Sequence, residues 1–218
     1  MYDPGIFYIK IRDKQLILTV HVDNCILTSS STDLIEQCKT LLNSQCPPTD
    51  LGPIHWVLGI EVTCNHNAHT ISLSQSLYIN TILCHFNLQD AKAYGSPMMP
   101  GTLLTTRNTT PNTSEMDYMS KIPYCKAIGS FMYASIAMHL DISFAMAFLS
   151  QSLNNPSHTH WEVTKQIFHY LSGTKNIVLT FGSKKHDLIG YTDTDGTSQS
   201  HCKAISSFTF LIDGSMIS

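Results

Sequence analysis

The chain has 218 residues, 43% of them hydrophobic and 13% charged, with a formal charge of −3. That length and apolar content support a buried core in one large domain or two small ones, and exclude a disordered chain. The slightly acidic balance gives no overall basic field for nucleic acid and leaves only a local basic groove for that role.

Residues 6–11, IFYIKI, and 16–22, LILTVHV, are rich in β-branched and aromatic side chains. The polar stretch Arg12 to Gln15 separates them, which is a hairpin signal. CILTS, 25–29, reads as a third strand after the tip Asp23-Asn24. Residues 31–45 carry an apolar stripe at helical spacing (Leu34, Ile35, Cys38, Leu41, Leu42), with Ser31 or Thr32 as cap. After Cys46-Pro47-Pro48, WVLGIEVTC (56–64) and HTISLSQ (69–75) read as strands, and SQSLYINTILCHF (74–86) as an amphipathic helix. The order to residue 86 is β-β-β-α-β-β-α, an α+β pattern.

Residues 95–120 are rich in Pro, Thr and Ser and read as a surface loop or linker. Three apolar helices follow: 124–138, 141–153 with Asp141 as N-cap, and 159–173 ended by Gly173. In them Met132, Met138 and Met146 read as core filler. Strands return at 177–183, 187–193 and 206–213, with no internal repeat.

Seven scattered cysteines (25, 38, 46, 64, 84, 125, 202), with no CxxC pair, read as free thiols of a reducing compartment. The N-terminus lacks a signal-peptide core, and no apolar run is long enough for a membrane span. This places the chain inside the cell, in cytoplasm or nucleus. The sequons at Asn108 and Asn112 then read as chance matches. Strand-like sequence at both ends leads to the expectation of a fragment.

Two carboxylate sites suit Mg²⁺, which prefers anionic oxygen. One is the tip Asp23-Asn24, although a lone Asp-Asn tip is more often only a turn. The other is GYTDTDG, 190–196, where Asp193 and Asp195 lie two apart at a strand end. The groups Cys64-x-His66-xx-His69 and His158-x-His160 hold zinc-type ligands without the spacing of a closed site. No nucleophile elbow, phosphate loop or dinucleotide fingerprint is present. Lys165, Lys175, Lys184 and Lys185 read either as a nucleic-acid backbone contact or as a solvated face.

The order of these pieces resembles the Pol polyprotein of copia-type LTR retrotransposons. DPGIFYIK with LILTVHVDNCILTS resembles the strand leading to that family's Tyr-Val-Asp-Asp motif. DLGPIHWVLGIEV and ISLSQSLYINTIL resemble its next strand pair and helix. The stretch from YCKAIGSFMYASIAM to IFHYLSGT resembles its helical thumb and connection. LIGYTDTDG and KAISSFTFLIDGSMIS resemble the opening of its ribonuclease H domain.

The resemblance implies a partial right-hand polymerase palm over 1–90 and a loop or linker over 91–123. A helical thumb/connection over 124–175 and a truncated ribonuclease H-like segment over 176–218 follow. It makes Asp23 a remnant metal ligand of the reverse transcriptase and puts Asn24 where the family has its second Asp. His21 is a mild departure from the aromatic usual at the motif's first position. Asp193 would be the first ribonuclease H carboxylate; Gly196 stands where a tryptophan often follows. The other catalytic carboxylates would lie upstream of the chain or beyond Ser218. The implied cofactor is Mg²⁺. The implied partners are an RNA template and a DNA primer, and a separately encoded N-terminal polymerase half, with no membrane. The expected function is a fragment of an RNA-directed DNA polymerase that is inactive alone because carboxylates are missing. The alternative is a non-catalytic protein- or nucleic-acid-interaction module.

Overall fold

A computed structural model describes residues 3–102, 113–182, 187–195 and 205–217. Asn108, Asn112, Lys184, Lys185, Gly196 and Cys202 lie outside the described residues. The architecture is α+β, in two compact units, Met1–Val57 and Leu58–Ser218.

The first unit begins with a meander of β1 (Ile6–Ile11), β2 (Lys14–His21) and β3 (Asn24–Ser29). Two-residue turns join them, as the pairs Ile11↔Lys14 and His21↔Asn24 require. Both turns open on a left-handed residue, Arg12 (φ 53°) and Val22 (φ 52°), the sign that matches a hairpin to strand twist. Helix α1 (Thr32–Gln45) packs on β2 and β3. Its apolar stripe is narrower than expected: Leu34 is buried, whereas Leu41 is 69% exposed. Ser31 precedes the helix without a side-chain cap bond. A short strand, β4 (Trp56–Val57), ends the unit.

The single strand expected over 56–64 is interrupted. Leu58 (φ 50°) and Gly59 (φ 76°) are both left-handed and divide β4 from β5 (Ile60–Asn65). In the second unit β5, β6 (Thr70–Ser74) and β7 (Leu179–Phe181) run antiparallel. Helix α2 (Ser76–His85) follows β6. Helix α3 (Thr113–Ser120) lies in a stretch expected to be loop. Then come α4 (Tyr124–Ala137), a 3-10 turn at Leu140–Ile142, α5 (Ser143–Ser150) and α6 (His158–Thr174).

The core lies among α2, α4, α5 and α6. Ile79, Leu83, Ile128, Phe131, Leu149, Ile167, Phe168 and Leu171 are at most 1% exposed there. Phe168 meets Phe131 edge-on at 4.5 Å and Phe86 at 4.7 Å, the spacing aromatic pairs favour. Met146 joins this core and Met138 is buried, but Met132 faces outward at 43% exposure.

Two helix ends differ from expectation. Gly173 does not stop α6; it lies inside the helix, where an added Cβ would sit 2.8 Å from the Cβ of Ala93. Close packing, not a left-handed cap, therefore explains this glycine. The helix starts at Ser157, whose Oγ accepts the His160 N–H while the His160 ring accepts the Ser157 N–H, a reciprocal box. Asp141 likewise caps nothing: it lies within the 3-10 turn and its carboxylate serves elsewhere.

A third sheet, β8 (Leu188–Asp195), β9 (Ile205–Ile212) and β10 (Ser215–Met216), is antiparallel with β9 central. The turn after β9 joins it to β7: Asp213 accepts the Gly182 N–H at 2.9 Å, and Ser215 Oγ donates to Thr180 O at 2.6 Å.

Candidate functional site

The β2–β3 turn displays Asp23. His21 and Asn24 are opposed, so Val22 and Asp23 form the loop itself. The meander's register makes His21 and Asn24 share a face with Thr19 and Ile26. His21, Asp23 and Asn24 are all exposed. Val22 is 82% exposed and β-branched, yet held at φ 52°. That backbone is costly for such a side chain, and costs of this kind cluster at functional sites. The strand leading to the tip is anchored from the residue before β1: the Val20 N–H donates to Gly5 O at 2.7 Å. A Cβ on Gly5 would lie 2.7 Å from Val20 O, so only glycine permits this approach.

Asp193 belongs to the other unit. It stands opposite Ser207 in the β8–β9 ladder, is exposed, and its Oδ1 accepts the Thr194 N–H at 2.9 Å. The structure thus brings Asp23 together with Asn24 in the first unit, and presents Asp193 on strand β8 of the second.

A sequence model of the reverse transcriptase (RNA-dependent DNA polymerase) family matches residues 2–100. The retrovirus-related Pol polyprotein from transposon TNT 1-94 of Nicotiana tabacum is 33% identical over 99% of this chain and 16% of its own length. That from transposon RE1 of Arabidopsis thaliana is 29% identical over 88% of this chain and 13% of its own length. Residues 2–100 thus form a reverse transcriptase family segment, and the chain is similar along its length to copia-type retrotransposon Pol polyproteins. It spans about one sixth of the tobacco polyprotein and less of the other. An uncharacterized mitochondrial protein of Arabidopsis thaliana is also 28% identical, over 73% of this chain and 62% of that protein. No solved structure matches.

Reverse transcriptases generally use a divalent metal, so the donor set of the tip bears on the chemistry. Two-metal transfer needs several carboxylates to offset the ions and hold them close together. The tip offers one carboxylate, one amide and one imidazole. Among the described residues no group of three or more His, Cys, Asp or Glu is placed to hold a metal ion. These residues do not fit a two-Mg²⁺ centre. Of the lysines that could meet a nucleic-acid backbone, Lys165 pairs with Glu162 at 2.7 Å and Lys175 donates to Asn80 at 3.0 Å. No helix among the described residues is long and apolar enough to cross a membrane.

One polar cluster had no signal beyond an aspartate near a helix start. Asp141 accepts the Tyr170 hydroxyl at 2.5 Å and stands 3.5 Å from Nδ1 of the buried His139. Partial burial raises the Asp141 carboxyl, but the bonds from His139 and Tyr170 outweigh it and hold the group below its ordinary range. Tyr170 is pushed up by burial and by the carboxylate it bonds. The sequence separates these residues by up to 31 positions, and the fold unites them through the Tyr170 bond from α6 and the His139 contact.

Proposed function

We propose that the chain is a segment of an RNA-directed DNA polymerase that does not polymerise alone. Residues 1–90 would be part of the palm, 91–123 a linker, 124–175 the thumb and connection, and 176–218 the opening of a ribonuclease H-like fold. Asp23 would be the surviving metal ligand, Asn24 the substituted one, and Asp193 a remnant ribonuclease H carboxylate. The partners would be an RNA template and a DNA primer, and the place of action the cytoplasm or nucleus. A separate N-terminal polymerase half would have to supply the upstream carboxylate, and the one replaced by Asn24 would stay absent.

The observation that carries this reading is the tip itself. A segment of the reverse transcriptase family displays Asp23 on a tight, strained hairpin, with an amide beside it where the chemistry wants charge. Asn24 supplies a donor oxygen but leaves developing negative charge less well balanced. The test is primer extension on an RNA template with a DNA primer, labelled dNTP and Mg²⁺. No incorporation is expected from the 218-residue chain. Incorporation that disappears in Asp23→Asn would refute the proposal.

A second reading is a non-catalytic interaction module built on the helices from Tyr124 to Thr174. The aromatic core of the second unit favours it, because a packed core needs no catalytic centre to persist. Salt-dependent binding to an RNA–DNA hybrid would separate nucleic-acid capture from a protein-binding role.

A further inference from the structure

We propose that the β2–β3 tip holds a single divalent ion of borderline softness, of which Zn²⁺ is the representative, rather than the pair of Mg²⁺ ions that it does not fit. The donors are the His21 ring, the Asp23 carboxylate and the Asn24 side-chain oxygen. Mg²⁺ takes oxygen ligands and gains little from an imidazole. An imidazole nitrogen beside one carboxylate suits Zn²⁺ and its late-transition-metal neighbours.

The ladder puts these donors within reach of one ion. His21 and Asn24 are directly opposed at the end of the β2–β3 pairing. Opposed side chains leave the same face of a sheet, with Cβ atoms about 4.5–5.5 Å apart. Asp23 is the loop residue next to Asn24. Cys25 stands opposite Val20 and faces the other side, so no thiolate joins the set. None of the three donor side chains makes a hydrogen bond, ion pair or ring contact with a described residue. That decides against turn chemistry as their role, because a turn Asp or Asn holds its loop by bonding nearby backbone, and here neither does. All three are exposed, so an ion reaches them without a change of fold. The local charge also favours a cation. No lysine or arginine occurs between Lys14 and Lys39, and Lys14 is spent on Asp33 at 3.1 Å. With an amide as the third donor, the ion keeps water at its other positions.

Titrating the full 218-residue chain with Zn²⁺ while recording ¹H–¹⁵N NMR spectra tests this. The amide signals of His21, Asp23 and Asn24 should shift and saturate, and Mg²⁺ should need a concentration at least about tenfold higher for the same effect. His21→Ala should abolish the tip shifts, Asn24→Ala should weaken binding several-fold, and Cys25→Ser should change neither. Tip signals that ignore Zn²⁺ overturn the proposal, whichever other histidines or cysteines take up the ion. So does tip binding that is unmoved by His21→Ala or Asn24→Ala, or Mg²⁺ binding as tight as that of Zn²⁺. The readout is binding and not synthesis, so this proposal and the polymerase reading, which primer extension tests, can fail independently.

Discussion

Asp141 shows how a single side chain ties the helical body to pH. Its carboxylate joins His139, after α4, to Tyr170 on α6. Because its folded pKa lies below the ordinary 3.8, the ionised form stabilises the fold. That contribution is present above pH 3.8 and is lost as pH falls through the lower folded value. Asp141→Asn should cost about 1 kcal/mol at neutral pH, discounted from a fully buried charged bond because the side chain is 39% exposed. Urea unfolding of both proteins at pH 7 and near pH 3 checks it. The gap should shrink in acid, and a gap that stays constant would mean that the charge is irrelevant. In the sequence, Asp141 was legible only as a helix start. Its real partners are set by tertiary packing, to which local rules are blind.

At the scale of elements, local chemistry decided some outcomes and distant contacts decided others. The strands β1, β2 and β3 were legible because β-branched residues alternate with turn residues at short spacing. The helix α3 was not, because a Pro-, Thr- and Ser-rich stretch surrounds it. Its support comes from far along the chain: Glu115 accepts the His158 N–H at 3.1 Å, and the Tyr118 ring lies tilted 5.3 Å from the His158 ring. Glycines behave in the same divided way. Gly182 has φ +92°, and an added Cβ would lie 2.1 Å from His69 O, a backbone atom that cannot step aside. Gly129 sits in α4 with nothing within 4 Å of its virtual Cβ. The two alanine substitutions should therefore have opposite signs. Gly182→Ala should destabilise by about 2–4 kcal/mol through strain and clash, and Gly129→Ala should stabilise by about 1 kcal/mol through helix propensity. Denaturant midpoints measured side by side decide it, and shifts in the same direction would show that the surroundings of one glycine are misjudged.

For the whole molecule, the two units are unequal in what holds them. In Met1–Val57 the buried apolar side chains among the described residues are Leu16 and Leu34. Burying such a side chain is worth about 1.5–3 kcal/mol, while ordering each residue costs about 1–2 kcal/mol. A unit of this size with so small a core does not balance that cost alone. Leu58–Ser218 holds the aromatic cluster around Phe131 and Phe168 and the interlocked α2, α4, α5 and α6. A piece covering residues 58–218 should thus unfold cooperatively on heating, whereas residues 1–57 should give a sloping, featureless melt. Circular dichroism of the two pieces tests this. A sigmoidal melt from 1–57 would place hidden stability in the meander, and a sloping one from 58–218 would deny that its core suffices. The expected pattern bears directly on the polymerase reading. Asp23 stands on the unit least able to hold its own shape, so even a restored second carboxylate at position 24 would sit on a hairpin that further protein has to brace.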